Sequence, residues 1–146
     1  MPRRSNKKKV IKEEITPLNL SEKIKKASQG LYYISEIDAE ILPFEGTKTD
    51  TVSPEEILRQ TNNKSDAPIE ERNFDEIFQR LTTIKDWFGN EEKLIAEKYA
   101  ELRDLLTASL KDLKVFKIGK IQIDIYFVGL DSEGNLTGIQ TKAVET

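Results

Sequence analysis

Apolar positions along the chain follow two different periods, and the change between them divides it. Leu20, Ile24, Ala27 and Leu31 recur at four, three and four residues, and Asn19 with Glu22 has capping-box spacing. The pattern predicts a short amphipathic helix from about Asn19, with Gly30 as its left-handed stop. LYYISEID and ILPFEG, rich in aromatic and β-branched residues, read as strand or extended segments, and Pro43 puts the second at an edge or a bend. Ser53, Pro54, Glu55 and Glu56 begin a brief helix ending near Thr61: a hydroxyl cap, proline in the first turn and acids at the positive helix end. TNNKSDAP is a loop, and Pro68 to Arg72 reads as one more short extended piece. Asn73 and Glu76 repeat the capping-box spacing before Phe74, Ile77, Phe78 and Leu81, which predicts another short helix. The strongest helical signal places Ile95, Tyr99, Leu102, Leu106, Leu110 and Leu113 on one stripe. A helix from about Glu91 to Lys111 would be about 30 Å long.

The period then falls to two. Ile121, Ile123, Ile125 and Phe127 alternate with Gln122, Asp124, Tyr126 and Val128, the repeat of a half-buried strand. Val115 to Ile118 precedes it across Gly119-Lys120, a pair suited to a two-residue hairpin turn, and Leu136 to Val144 follows the turn DSEGN. Connections this short dictate an antiparallel meander. The expected fold class is α+β, with the long helix covering one face of the sheet. Tyr126 and Val128 point to a cover on the other face too. No period is visible before Pro17, so residues 1–18 are expected to form a disordered basic arm and residues 19–146 a single domain.

Composition narrows the chemistry. The sequence contains no histidine and no cysteine, which excludes a Ser-His-Asp triad, a thiol nucleophile, a CxxC redox pair, a His/Cys zinc site and any disulfide. Catalysis would have to use carboxylates, lysine, tyrosine, hydroxyls or an oxygen-bound metal. The apolar stretch around Ile125 to Leu130 is far short of the roughly 20 residues that cross a bilayer. No membrane association and cytoplasmic residence are expected, since no apolar core follows the N-terminal lysines. The formal charge is −3, yet the first nine residues hold Arg3, Arg4, Lys7, Lys8 and Lys9 without an acid, so residues 10–146 carry −8. The arm reads as a solubilising tail, with a nucleic-acid or nuclear-targeting patch as the alternative.

No GxxxxGK[ST] or GxGxxG turn is present, and no cofactor is expected. Glu55-Glu56, Glu70-Glu71 and Glu91-Glu92 sit at or before helix starts, where the helix dipole explains them more simply than acid/base catalysis does. DSEGN lacks the oxygen spacing of a calcium loop. Trp87, the only tryptophan, lies in Asp86-Trp87-Phe88-Gly89 between two helices. It is either a core cap or an exposed anchor for a partner protein, the residue type most enriched at interface hot spots. Strand-like residues run on to Val144, which brings Thr146 to an ordered position where a chain ordinarily just stops.

Four segments, in order, carry a resemblance: ASQGLYYISE (Ala27 to Glu36), QTNNKSDAP (Gln60 to Pro68), TTIKDWF (Thr82 to Phe88) with the acidic helix start after it, and GNLTGIQTKAVET (Gly134 to Thr146). Over roughly Ser21 to Thr146 the chain resembles the inhibitors of the sugar-nonspecific bacterial nuclease called nuclease A. The resemblance implies a three-layer α/β/α sandwich and a protein that is not an enzyme. It implies a partner, a Mg-dependent ββα-metal endonuclease bound one to one and plugged at its active site. Thr146 resembles the residue that reaches the metal of the bound nuclease, Glu36 the acidic contact after the first extended segment, and Asp86 with Trp87 the interface pair. A glutamine commonly precedes that pair; Lys85 stands there in this chain. The competing readings are a same-fold interaction module for another partner, or for nucleic acid through the basic arm, and an enzyme working through carboxylates and tyrosine.

Overall fold

The computed structural model describes residues 19–146, so the expected arm, including its five cations, lies outside the described residues. Helix α1 (Leu20–Ser28) starts where the Asn19 side chain accepts the Glu22 N–H at 2.8 Å. It stops at Gly30, whose φ of +80° is the left-handed turn expected of it. Strands β1 (Tyr32–Ile34) and β2 (Asp38–Glu40) pair as a small antiparallel hairpin. Strand β3 (Leu42–Lys48), helix α2 (Pro54–Gln60), strand β4 (Ile69–Arg72) and helix α3 (Phe74–Thr82) follow. Ser53 and Asn73 cap α2 and α3 by accepting the N–H groups of Glu56 and Glu76. Helix α4 (Asn90–Ser109) leads into strands β5 (Lys111–Ile118), β6 (Gln122–Leu130) and β7 (Asn135–Val144).

Among the described residues, four helices and two antiparallel sheets make this a mixed α+β fold. The larger sheet has the order β3-β7-β6-β5-β4, which puts the predicted meander at its centre and Pro43 on an edge strand. Register explains how both faces are used. Val115 stands opposite Phe127 and Phe127 opposite Ile139, while Phe116 stands opposite Tyr126. The first set packs with Ile24 of α1, Phe78 of α3, and Tyr99, Leu102 and Leu106 of α4. The second packs with Ile57 and Leu58 of α2, together with Phe44, Val128 and Leu136. Helices therefore lie against both faces of the sheet, and the cover over Tyr126 and Val128 is the seven-residue α2. Among the described residues, no buried side-chain polar atom lacks a hydrogen-bond partner, and no helix is long and apolar enough to cross a membrane.

Three local expectations change. Helix α4 ends at Ser109, not Lys111: Leu110 is extended, Asp112 adopts a φ of +57°, and a register shift between Lys111 and Lys114 starts β5 at once. Leu110 and Leu113 fit the helical stripe by spacing, but a strand continuing from the helix turns them onto the same core, which satisfies their burial without further helix turns. At the other end of the stripe Ile95 is 45% exposed and Ala96 is buried instead. The β5–β6 connection is also wider than two residues, since Ile118 pairs with Asp124 and β6 resumes at Gln122. Gly119, at a φ of +112°, donates its N–H to Pro68, while the Ile121 carbonyl accepts the Glu145 N–H at 3.0 Å. Both groups serve neighbours outside the hairpin.

Candidate functional site

Several loops converge where β7 ends. Val144 pairs with Gln122 at the start of β6, so this end of the sheet also holds the β5–β6 turn. The β1–β2 loop is tied to it, because Glu36 donates its N–H to the Val144 carbonyl at 3.2 Å and Val144 donates its own to Ser35 Oγ at 3.1 Å. Helix α4 passes into β5 at the opposite end. Its 20 residues span about 30 Å, against about 26 Å for the eight of β5. Tyr99 Oη donating to the Tyr32 carbonyl at 2.6 Å fixes that helix against β1, and burial raises the Tyr99 phenol well above its ordinary pKa. Tyr99 thus serves as a buried structural donor.

Glu36 and Thr146, 110 residues apart, meet at this end. Thr146 donates its N–H to Glu36 Oε2 at 2.7 Å, and its hydroxyl lies 3.1 and 3.0 Å from the two carboxylate oxygens. Both residues are exposed. Asp86 and Trp87 stand on the separate α3–α4 loop, and among the described residues no hydrogen bond or ion pair ties them to Glu36 or Thr146. Trp87 is 69% exposed, so it is no core cap. Phe88 meets its ring edge-on at 4.8 Å between centroids, and Lys85 Nζ lies 5.8 Å from the ring centre on a cation–π contact. Large exposed apolar side chains besides Trp87 are Tyr32, Ile34 and Ile37 on the hairpin, Leu42 at the start of β3, Ile84 beside the tryptophan loop, Leu94 and Ile95 in early α4, and Ile121 in the β5–β6 turn.

The paired acids do not form a second site. Glu56 accepts from Arg59 and Gln60, and the Arg59 hydrogen bond leads in holding its carboxyl below the usual range. Glu70 pairs with Arg72. Glu91 and Glu92 occupy the first turn of α4, where the helix dipole favours them. No group of three or more His, Cys, Asp or Glu side chains among the described residues could hold a metal of the chain's own.

The family described as nuclease A inhibitor-like protein matches residues 18–146. The chain belongs to the nuclease A inhibitor-like family. No curated protein matches the chain. Membership gives the arrangement at the end of β7 its context: an inhibitor-like chain needs a surface that another protein can cover, and here exposed apolar side chains border exposed acids.

Sequence reasoning missed Ser35, Lys117 and Glu145. Lys117 Nζ holds the Glu145 carboxylate at 2.9 and 3.2 Å, and Ser35 holds Val144. Each is an ordinary polar residue in its own segment, and only the sheet topology brings them beside the last residues of a nuclease A inhibitor-like chain.

Proposed function

We propose that this chain is a protein inhibitor of a sugar-nonspecific, Mg-dependent endonuclease, that it binds the enzyme one to one in the cytoplasm, and that it covers the active site with the end of the molecule carrying Glu36, Asp86, Trp87 and Thr146. The observation that carries this reading is the ordered presentation of the exposed Thr146 by Glu36, and it is supported by the exposure of Trp87 on the α3–α4 loop. The donors suit the metal of such an enzyme. Thr146 offers exposed hard oxygen, the ligand type that Mg2+ prefers, and the chain has no histidine or cysteine to offer in its place. The metal would belong to the nuclease, and the role of this chain is to occupy the space beside it and exclude the nucleic-acid substrate.

Charge supports the same partner. A groove built to hold phosphate is positive, and a body of −8 over residues 10–146 is drawn toward it. Trp87 supplies desolvated apolar contact beside these charges, and Asp86 next to it adds a further acid for a basic rim. A second reading is a same-fold module for a different protein, favoured by the Lys85 ammonium held over Trp87, a positive charge inside the anchor. Titrating the purified chain into a Mg-dependent, sugar-nonspecific endonuclease assay separates the two. Saturable inhibition at one equivalent supports the inhibitor, and no inhibition at micromolar concentration favours the module.

A further inference from the structure

Residues 144–146 are held by three separate segments. Val144 stands opposite Gln122 of β6 on one side, and on the other it donates its N–H to Ser35 Oγ and accepts the Glu36 N–H at its carbonyl. Glu145 gives its N–H to Ile121 and its carboxylate to Lys117, whose side chain is only 14% exposed. Thr146 gives its N–H and its hydroxyl to Glu36. The Ser35 loop is itself closed, with the Ser35 N–H donated to the Ile37 carbonyl at 2.9 Å. Exposed terminal segments without such ties fray. Burial of apolar surface does not account for these bonds, since Glu145 and Thr146 are both exposed.

The direction of the last bond matters chemically. A hydroxyl has one proton and two lone pairs, and a carboxylate accepts but cannot donate. The Thr146 hydroxyl therefore commits its proton to Glu36 in a charge-assisted bond and keeps its lone pairs for an outside cation. A carboxylate behind a ligand raises the ligand's basicity and fixes its orientation, as it does for the outer partners of metal-bound side chains. We propose that Glu36 is the proton acceptor, and Ser35, Lys117 and Glu145 the positioning residues, of a clasp that presets the Thr146 hydroxyl as an oxygen ligand for the cation of the partner's site. This rests on the inhibitor reading above. Ser35 and Lys117 bond Val144 and Glu145, the two residues before Thr146, so in this proposal they act on the partner through it.

Two measurements on the full chain test the clasp. Amide hydrogen exchange at Val144 and Thr146, followed by NMR without any nuclease, compares the native chain with Ser35→Ala and Glu36→Gln; exchange at one or both amides should rise by about fivefold or more, as for loss of one hydrogen bond. Inhibition of a Mg-dependent endonuclease is then measured for Ser35→Ala, Lys117→Met and Lys117→Arg, each with and without Thr146. Ser35→Ala and Lys117→Met should raise the inhibition constant by about fivefold with Thr146 present and by less than about twofold once it is removed, and Lys117→Arg should restore native potency. Unchanged exchange in both variants overturns the clasp whatever the nuclease does. Equal costs with and without Thr146 overturn its positioning role. A native chain that inhibits nothing, with exchange responding as expected, overturns the inhibitor reading and the ligand role with it.

Discussion

Trp87 is the side chain on which partner affinity should depend most steeply. With 69% of its surface exposed, it contributes little to the core, while its ring is held upright by Phe88 and Lys85. Exposed tryptophan is among the residue types most enriched at interface hot spots. Trp87→Ala is expected to weaken nuclease binding by about 2 kcal/mol or more, read by calorimetric titration, with the melting temperature nearly unchanged. A large fall in melting temperature would return the residue to the core. Glu56 has a different logic. Its folded pKa lies below the ordinary carboxylate value, chiefly because Arg59 donates to it. Its contribution is therefore present above that ordinary value and is lost as pH falls through the lowered one. In acid titration of stability, Glu56→Gln should narrow the gap between the native chain and the variant only at the acid end, and a constant gap down to strong acid would contradict this.

At the scale of elements, α2 is short yet carries one face of the sheet, and Gln60 at its end explains how it is held. The Gln60 amide accepts the Thr47 N–H at 2.7 Å and donates to the Thr47 carbonyl at 3.1 Å, pairing with β3 as another strand would. Thr47 lies where the β3–β7 register shifts between Glu45 and Lys48, so the glutamine serves backbone groups that the β3–β7 ladder passes over. Gln60→Ala should cost about 1 kcal/mol in chemical denaturation without touching inhibition, since water replaces the missing bonds only in part; an unaltered midpoint would show that α2 is held by Ile57 and Leu58 alone. The same element marks what was legible beforehand. Caps at Asn19, Ser53 and Asn73 and the alternation from Ile121 to Val128 are local signals, and the helices and strands they predict are present. Leu110 and Leu113 misled because a stripe of leucines fits a helix or a strand leaving it equally well, and pairing with β6 decided for the strand. The core cap or anchor choice at Trp87 was open because a loop has no period. Glu36 and Thr146 were legible only as an acid and a hydroxyl in distant segments, since 110 residues of chain separate them and the fold alone brings them together.

The whole molecule has two unlike ends. Thr146 and Glu36, with the exposed Ile37 and Ile121, occupy the end where β7 stops. Leu20 and Ser21, by contrast, share a cleft with Glu45, Asp131 and Asn135 at the β6–β7 turn. The N-terminal segment thus joins the domain away from the proposed inhibitory end. Removal of residues 1–17 should leave the inhibition constant within about twofold, while any binding to DNA should weaken and its salt slope fall by roughly 0.9 for each phosphate no longer neutralised. A matching loss of inhibition would place those residues on the inhibitory surface. The charge of the domain acts over the same distance: it steers an acidic body toward a positive groove and contributes to encounter more than to the docked interface.

The central claim is that Thr146 enters the partner's active site, and the most direct measurement compares four forms of the protein against one Mg-dependent endonuclease: untagged, tagged before Met1, tagged after Thr146, and lacking Thr146. Residues appended after Thr146 would have to enter a site with no room for them, and removal of Thr146 takes away the oxygen ligand, yet neither change touches buried apolar surface. The account predicts native potency for the first two forms, at least about tenfold weaker inhibition for the last two, and one melting temperature for all four. Equal potency across the four forms would contradict it.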